Sequence, residues 1–260
     1  MPGNAAGAVG RGRIHLLDEL RGFAVLCMVC YHGFYTAGYL FGSAAGIYFF
    51  RYFMGAEPYF AGLFMFLSGI ACNLSRSNLK RGLRLLALAM GVTLVTAVFL
   101  PEDRIAFGIL HFLAVCMILT GLCKPALDGK AFSWWPVLVC AALYLLTRRV
   151  DAGCLGPGAP LAWKLPAALY ATDWLAPLGF HTASFVSADY FPLLPWIFVY
   201  AAGVWVGKLA AAGKFPAFTY RPQVPQLAWV GRHALVVYLV HQPVIYACGL
   251  LLLRLSRAGG

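Results

Sequence analysis

Long apolar stretches separated by short polar segments make up most of this chain. An α-helix rises about 1.5 Å per residue, so about 20 apolar residues cross a hydrocarbon core about 30 Å thick. The pattern therefore predicts an all-α protein, a polytopic transmembrane helix bundle of about seven to eight spans. The seven predicted spans cover residues 17–37, 59–74, 82–99, 107–122, 134–146, 193–211 and 235–253.

Two segments between these windows are less regular. Residues 40–54 are rich in glycine and aromatic side chains, which is typical of chain that lies in the headgroup region or dips back into the protein. Residues 151–190 are irregular and leave open an eighth, short or re-entrant helix at 165–178. No internal repeat is evident and no loop can hold a soluble domain, so residues 1–260 are predicted to form a single membrane domain.

The composition supports a membrane location and excludes nucleic-acid binding. Hydrophobic residues make up 62% of the chain and charged residues 11%, against about 45–50% and about 25% in soluble domains. The apolar surplus must face lipid. Although the net charge is +11, the cations fall between the apolar windows, where they set topology and contact lipid headgroups.

The distribution of these cations predicts the orientation. Cytoplasmic loops of membrane proteins carry an excess of Lys and Arg. With the N-terminus inside, the inner segments hold 13 of the 20 cations, which predicts a cytoplasmic N-terminus in a multi-pass protein of the cell membrane. These 13 are Arg11, Arg13, Arg21, Arg76, Lys80, Arg81, Arg84, Lys124, Lys130, Lys208, Lys214, Arg221 and Arg232.

The eight cysteines give no metal signature. Most lie inside apolar runs, where a thiol behaves as a small hydrophobic group. Cys27 and Cys30 form a CxxC pair, but no second pair stands at metal-ligand spacing, so no metal is predicted.

Two histidines occupy positions where polar groups are costly. His32 lies about 15 residues into the first span, and His111 lies just inside the fourth span. Under the predicted topology both fall toward the outer side, so they are expected at a similar depth. Each can be a packed, hydrogen-bonded core residue. As a pair they are candidates for general-base catalysis, because imidazole exchanges protons near neutral pH.

Other polar residues are candidates for binding an acceptor on the outer side. Glu57 stands at the mouth of the second span and Asp189 precedes the sixth. Trp196 is a candidate hydrogen-bond donor within the sixth span. His241 and Gln242 precede Pro243 in the last span, where they either satisfy backbone groups at a kink or line a substrate tunnel.

The inner side carries candidates for binding a phosphorylated cofactor. Asp18 and Arg21 are three residues apart and share a helical face, where an ion pair also explains them. The loop at 75–84 has four cations in nine residues, which suit a pyrophosphate and a 3′-phosphate, and which the positive-inside rule also explains. The four cations are Arg76, Lys80, Arg81 and Arg84.

Several motifs along the chain resemble those of the heparan-alpha-glucosaminide N-acetyltransferase catalytic-domain family, within a wider superfamily of multi-span membrane acyltransferases. They occur in the order that the family has and cover nearly the whole chain. The motifs are RIHLLDELRG at 13–22 with Tyr31-His32, FLSGI at 66–70, FGILHF at 107–112, YFPLLPW at 190–196, GRHAL at 231–235 and HQP at 241–243.

The resemblance implies an acyl donor, usually acetyl-CoA, that enters from the inner face. It also implies an acceptor, often the amine or hydroxyl of a sugar or envelope glycan, presented from the opposite side. The essential histidine of the family is expected at His32, and membrane lipid is an expected partner. Direct transfer in a ternary complex is preferred over an acetyl-histidine intermediate, and a homodimer is compatible with the sequence.

Two other functional classes remain open at this stage. In a proton-coupled transporter or flippase of a polar or lipid-linked solute, the membrane histidines would form a proton relay. No inverted repeat or pair of broken helices supports this class. A structural or regulatory membrane protein would tolerate replacement of both His32 and His111.

Overall fold

The computed structural model describes residues 12–258, with side chains described through residue 255. The fold is built almost entirely from helices. Arg11, one of the cations assigned to the inner side, lies outside the described residues. The α-helices are α1 His15–Tyr35, α2 Ala44–Met54, α3 Glu57–Cys72, α4 Asn78–Phe99, α5 Ile109–Leu122, α6 Lys124–Leu127, α7 Trp134–Thr147, α8 Leu193–Ala211, α9 Pro225–Arg232 and α10 Ala234–Ala258.

Shorter elements occupy the connections. A π-helical turn, Thr36–Leu40, continues α1, and four 3₁₀ helices cover Pro101–Asp103, Ala167–Tyr170, Asp173–Leu178 and Ala217–Tyr220. A two-stranded antiparallel ribbon pairs β1 Cys154–Leu155 with β2 Trp163–Lys164.

Each of the seven predicted spans falls on an α-helix, so the all-α prediction is confirmed. Within residues 12–258, four helices are long and apolar enough to cross a membrane, namely His15–Leu40, Asn78–Phe99, Leu193–Ala211 and Ala234–Leu255. The α2–α3 pair would make a fifth span if it is counted as one element, although it is bent by 56°. Helices α5 and α7 have 14 residues each, a length of about 21 Å. The count of seven to eight spans stays a prediction.

The two irregular segments differ in outcome. Residues 44–54 form helix α2, with the Ser43 hydroxyl accepting a hydrogen bond from the Gly46 N–H at the N-terminus. The segment 165–178 forms two 3₁₀ helices and no α-helix. Pro177 lies within the second of them, where it lacks the N–H that an α-helical hydrogen bond needs.

The chain divides into two compact units, which break within α3. The terminal unit contains the described residues up to Phe64 and from Gly213 onward, and the central unit is Met65–Ala212. Helices α1, α2, α9 and α10 belong to the terminal unit, and α4, α5, α7 and α8 belong to the central unit.

Backbone contact between α1 and α9 organises the terminal unit. A Cβ built on Gly22 would lie 2.0 Å from the Leu227 carbonyl oxygen, and one built on Gly231 would lie 1.8 Å from the Asp18 carbonyl oxygen. Only glycine at both positions permits this approach, as at the small-residue contacts common between membrane helices. Near this crossing, the buried Glu19 carboxylate accepts hydrogen bonds from the backbone N–H groups of Gln223 and Val224 at 2.7 and 3.0 Å.

Glycine also sets the helix contacts of the central unit. A Cβ on Gly69 in α3 would lie 2.1 Å from the Tyr200 carbonyl oxygen, and a Cβ on Gly203 in α8 would lie 2.1 Å from the Phe66 carbonyl oxygen. Helices α4 and α5 are close for the same reason, since a Cβ on Gly121 would lie 2.7 Å from the Leu79 nitrogen. These crossings hold α3 to α8 and α4 to α5.

The two ends of the central unit differ in charge. One end is the end at which α3, α5 and α8 finish and α4 begins. Of the described residues at this end, only Asp128 is acidic. Seven cations lie at that end: Arg76, Lys80, Arg81, Arg84, Lys124, Lys130 and Lys208. The opposite end carries Glu102, Asp103, Asp151, Asp173 and Asp189 together with Arg104, Arg148, Arg149 and Lys164.

The crossing of α3 and α8 gives a stability prediction. Gly203→Ala should lower the free energy of unfolding by about 1–3 kcal/mol, because the new methyl group meets the Phe66 carbonyl. Gly91→Ala is the matched control, since a Cβ at Gly91 has nothing within 4 Å and alanine favours the helix by up to about 1 kcal/mol. Thermal unfolding in detergent measures both, and equal transition temperatures for the two variants would contradict the packing described.

Candidate functional site

Two imidazole rings from the first and last helices meet in the terminal unit. His32 on α1 and His241 on α10 have ring centroids 5.0 Å apart and ring planes inclined by 50°. The His241 Nδ1 lies 2.5 Å from the Tyr238 carbonyl oxygen. A carbonyl only accepts hydrogen bonds, so Nδ1 carries a proton. The structure therefore joins two residues that the sequence placed in separate candidate groups.

Aromatic side chains surround this pair. The Tyr31 ring lies edge-on to His32 at 5.4 Å, and the Tyr238 ring lies 5.6 Å from that of His241. Tyr31 in turn packs on Phe50 of α2 at 5.0 Å. The imidazoles thus stand in an aromatic environment, in which water competes weakly for their hydrogen bonds.

A second polar contact lies one turn farther along α1. The Gln242 side-chain amide donates a hydrogen bond from Nε2 to the Thr36 hydroxyl at 3.1 Å, and Thr36 is fully buried. The other amide atom of Gln242, Oε1, is buried and makes no hydrogen bond to the described part of the chain. Helix α10 continues through Pro243 as one helix. The α1–α10 interface of the terminal unit therefore contains two adjacent polar layers between apolar surfaces.

His32 keeps both ring nitrogens available for chemistry. Among residues 12–258, its ring contacts those of Tyr31 and His241, and neither nitrogen makes a hydrogen bond to protein. The side chain is half-buried. A general base needs a ring nitrogen that can reach the acceptor proton, and neither nitrogen of His32 is occupied by a described protein group.

His111 has a different environment in the central unit. Its ring is 3% exposed, and its Nδ1 accepts a hydrogen bond from the Gly108 N–H at 3.2 Å. Its Nε2 lies 3.2 Å from the Thr93 hydroxyl, whose own proton is donated to the Ile105 carbonyl at 2.7 Å. The hydroxyl must then accept from Nε2–H, so both ring nitrogens bind protein groups. This arrangement satisfies an N–H at the start of α5 and is the structural alternative that the sequence left open.

Asp189 and Trp196 also contact protein groups of the central unit. Asp189 Oδ2 accepts a hydrogen bond from the Ile109 N–H at 3.1 Å, so the carboxylate caps α5 beside His111. Trp196 packs between Tyr144 and Phe191, each with a ring centroid 5.9 Å away. The structure thus brings His111 and Asp189 together at one helix end.

The inner-side candidates form two groups in different units. In the terminal unit, the buried Asp18 carboxylate binds Arg13 at 2.6 Å and Arg21 at 3.1 Å, so it fixes two guanidinium groups at the start of α1. In the central unit, the basic loop and first turns of α4 expose four cations, and the first turn of α4 has no acidic residue. Their side chains are Arg76, Lys80, Arg81 and Arg84.

Three of the surrounding residues were not predicted as part of the site. Thr36 follows His32 by four residues, a spacing that places both on one helical face. Tyr31 entered the sequence analysis only as the residue before His32 in a family motif, and Tyr238 gave no signal beyond an aromatic residue in an apolar span. Glu57 begins α3 in the terminal unit and is half-exposed. Within the described part of the chain, no group of three His, Cys, Asp or Glu residues is arranged to hold a metal.

Comparison with known proteins gives one match. A sequence model of the family described as heparan-alpha-glucosaminide N-acetyltransferase, catalytic, matches residues 13–243. This range includes His32, His111 and His241. Neither the curated proteins nor the solved structures contain a significant match to the chain.

The environment of His111 predicts a loss of stability when the ring is removed. His111→Phe should lower the free energy of unfolding by about 1–3 kcal/mol, because the buried Gly108 N–H loses its acceptor. His111→Asn should lower it less, since the amide oxygen can accept from the same N–H. Thermal unfolding of the detergent-solubilised protein measures the difference, and unchanged stability of His111→Phe would show that this hydrogen bond is dispensable.

Proposed function

The chain belongs to the heparan-alpha-glucosaminide N-acetyltransferase catalytic family, and from this membership we propose a specific reaction for it. The family implies a membrane enzyme of the acetyltransferase type. The proposed reaction moves an acetyl group, or another acyl group, from cytosolic acyl-CoA to an amine or hydroxyl of a sugar or envelope glycan. The observation that carries the proposal is His32, whose two ring nitrogens make no hydrogen bond to the described protein groups.

His32 acts as the general base in this proposal. Its unprotonated ring nitrogen removes a proton from the acceptor amine or hydroxyl as that group attacks the thioester carbonyl carbon. The tetrahedral intermediate then collapses, the C–S bond breaks, and the CoA thiolate leaves. The thiolate takes the proton from the His32 imidazolium, so the enzyme returns to its starting state. No acyl-enzyme intermediate is needed.

His241 acts as a positioning residue. Its Nδ1–H donates to the Tyr238 carbonyl, which fixes the orientation of the ring. The His241 ring, with its centroid 5.0 Å from that of His32, supplies a polarisable neighbour for the imidazolium that forms during transfer. His241 is thus the predicted substrate-site residue whose placement agrees best with the proposed chemistry.

The acyl-CoA donor is proposed to bind through the exposed cations of the basic loop. The loop begins at Arg76, and three more cations lie in the first two turns of α4, where the helix dipole already favours an anion. Acidic residues are absent from that first turn, so a phosphate group would relieve the repulsion among the cations. In the terminal unit, Arg21, held by Asp18, stays a separate predicted cofactor-binding residue.

The orientation follows from the charge difference within the central unit. The end with seven cations is proposed to face the cytoplasm. The more acidic end, with the segment 151–190, would then face outward, where a glycan acceptor is presented. Asp189 and Trp196 lie toward that end, and their direct contact with an acceptor stays a prediction, as does that of Glu57.

The first test addresses His32. His32→Ala should retain saturable binding of acetyl-CoA and lose its slow hydrolysis and transfer by about 10²–10⁴-fold, because the proton acceptor is removed. Binding by isothermal titration and release of free CoA by detergent-purified protein measure the two properties. His233→Ala is a matched control, since His233 is an exposed histidine at the end of α9.

Each outcome of this test separates the functional classes. Equal hydrolysis by the wild type and His32→Ala would remove His32 from the chemistry. If the wild type binds neither acetyl-CoA nor longer acyl-CoA, the transporter or flippase function replaces the acyltransferase function. Loss of acetyl-CoA binding by His32→Ala alone would assign His32 to binding instead of proton transfer.

The second test addresses the basic loop. Replacing Lys80, Arg81 and Arg84 together with glutamine should weaken binding of CoA by about tenfold or more, and should weaken binding of dephospho-CoA less, because dephospho-CoA lacks the 3′-phosphate. A charge-matched control replaces three exposed cations elsewhere in the central unit, namely Lys130, Arg149 and Lys164. An equal loss for the two ligands would mean that the loop sets topology without contacting the 3′-phosphate.

A further inference from the structure

A cleft lies within the central unit, at the end opposite its seven cations. Its volume is about 550 Å³, within the range of about 300–1,000 Å³ that small-molecule sites occupy. Its lining includes Phe107 before α5, Phe185, and the residues Thr172, Asp173 and Trp174 at the start of a 3₁₀ helix. Thr172, Asp173, Trp174 and Phe185 were not candidates in the sequence, because hydropathy gives no signal in an irregular loop.

Hydrogen bonds fix the carboxylate of this cleft. Asp173 Oδ1 accepts from the Thr182 backbone N–H at 2.9 Å and from the Thr182 hydroxyl at 2.8 Å. These bonds, helped by the nearby charges of His181 and Arg104, hold the pKa of Asp173 below its usual range, so the carboxylate is ionised at neutral pH. In the described part of the chain, Oδ2 makes no hydrogen bond. A charged acceptor therefore faces the cleft.

The loop around the carboxylate is held in one conformation by its own contacts. The Tyr190 hydroxyl donates to the Ala176 carbonyl at 2.7 Å, and burial raises the pKa of Tyr190, so it stays a donor at any physiological pH. The rings of His181 and Tyr190 meet edge-on at 5.3 Å. A ligand therefore meets a preformed surface and does not have to order the loop on binding.

Trp174 adds a flat apolar face to the same cleft. Its side chain is 89% exposed, although covering the apolar surface of an indole with a ligand would be favourable. Exposed tryptophan also occurs in the aromatic belt of membrane proteins. The neighbouring ionised Asp173 argues against contact with lipid tails, because a carboxylate loses its hydration there without gaining a partner.

The combined chemistry selects one class of ligand. A flat apolar face, a carboxylate acceptor and the Thr172 hydroxyl suit a ring that has one C–H face and several hydroxyl groups at its edge. The Arg104 guanidinium near Asp173 adds donors and disfavours a ligand that is only a cation. We propose that this cleft binds the pyranose ring of a saccharide, with Trp174 against its C–H face and Asp173 accepting its hydroxyl protons.

The role of the bound saccharide rests on the proposed function, in which a glycan is the acyl acceptor. Saccharide binding itself does not require acyl transfer. The two are tested separately, because acetyl-CoA hydrolysis is measured without saccharide and saccharide binding is measured without acetyl-CoA.

The experiment is saturation-transfer difference NMR on the full chain in detergent or nanodiscs. The probes are glucose, galactose, mannose and N-acetylglucosamine, with glycerol as the non-cyclic control. At least one pyranose should bind saturably, with an affinity in the millimolar range. Trp174→Ala should weaken that binding by about tenfold or more, and Asp173→Asn should weaken it while keeping an oxygen that accepts from Thr182.

Trp163→Ala is the matched control, because Trp163 lies in the same loop and is 62% exposed but does not line the cleft. It should bind the saccharide as the wild type does. Trp174→Phe should retain part of the binding, since a flat ring remains. The proposal is overturned if the wild type binds none of the four pyranoses, if glycerol gives the same signal, or if Trp163→Ala loses as much binding as Trp174→Ala.

Discussion

Backbone-to-backbone contact at glycine is the constraint on which the candidate site depends. Gly22 and Gly231 bring α1 and α9 together so closely that a Cβ on either would overlap a carbonyl oxygen of the other segment. His32 follows Gly22 by ten residues, and His241 follows Gly231 by ten residues. His32 lies about 15 Å farther along α1 than Gly22, and His241 lies on α10, which begins just after the break that ends α9. The crossing therefore holds together the two segments that lead to the imidazoles, and a side chain at either glycine would disturb it without touching the rings.

The second organising requirement is that polar atoms inside apolar helices need partners. It separates the two histidines that looked alike in the sequence. His111 has a backbone donor on one nitrogen and a hydroxyl acceptor on the other, so its ring is part of the structure at the start of α5. His32 has aromatic neighbours and no hydrogen bond among the described residues. A histidine kept in that state at the cost of burial is better explained by a ligand than by packing.

The sequence predicted the helices well because hydropathy depends only on the local chain. Each predicted span coincides with a helix, and the bounds of α8 match the prediction at both ends. The pairing of His32 with His241 was not predicted, since it depends on how α1 and α10 pack. The hydrogen bonds of His111 could not be predicted either, because its partner Thr93 belongs to another helix. The cleft at Trp174 arises from loop hydrogen bonds that no periodic pattern reveals.

The hydrogen bonds of Glu19 have a consequence for biogenesis. This buried carboxylate accepts from backbone groups that lie 204 and 205 residues farther along the chain. At a synthesis rate of about 5–20 residues per second, these donors emerge about 10–40 s after Glu19 does. During that interval the central unit is synthesised completely. Throughout it, Glu19 on α1 lacks its hydrogen-bond donors, and Gly22 lacks the helix that packs on it. The order of translation thus makes the unit that contains the histidine pair the last to assemble, and a ribosome that stalls within the central unit leaves a first helix that has no partner for its acid.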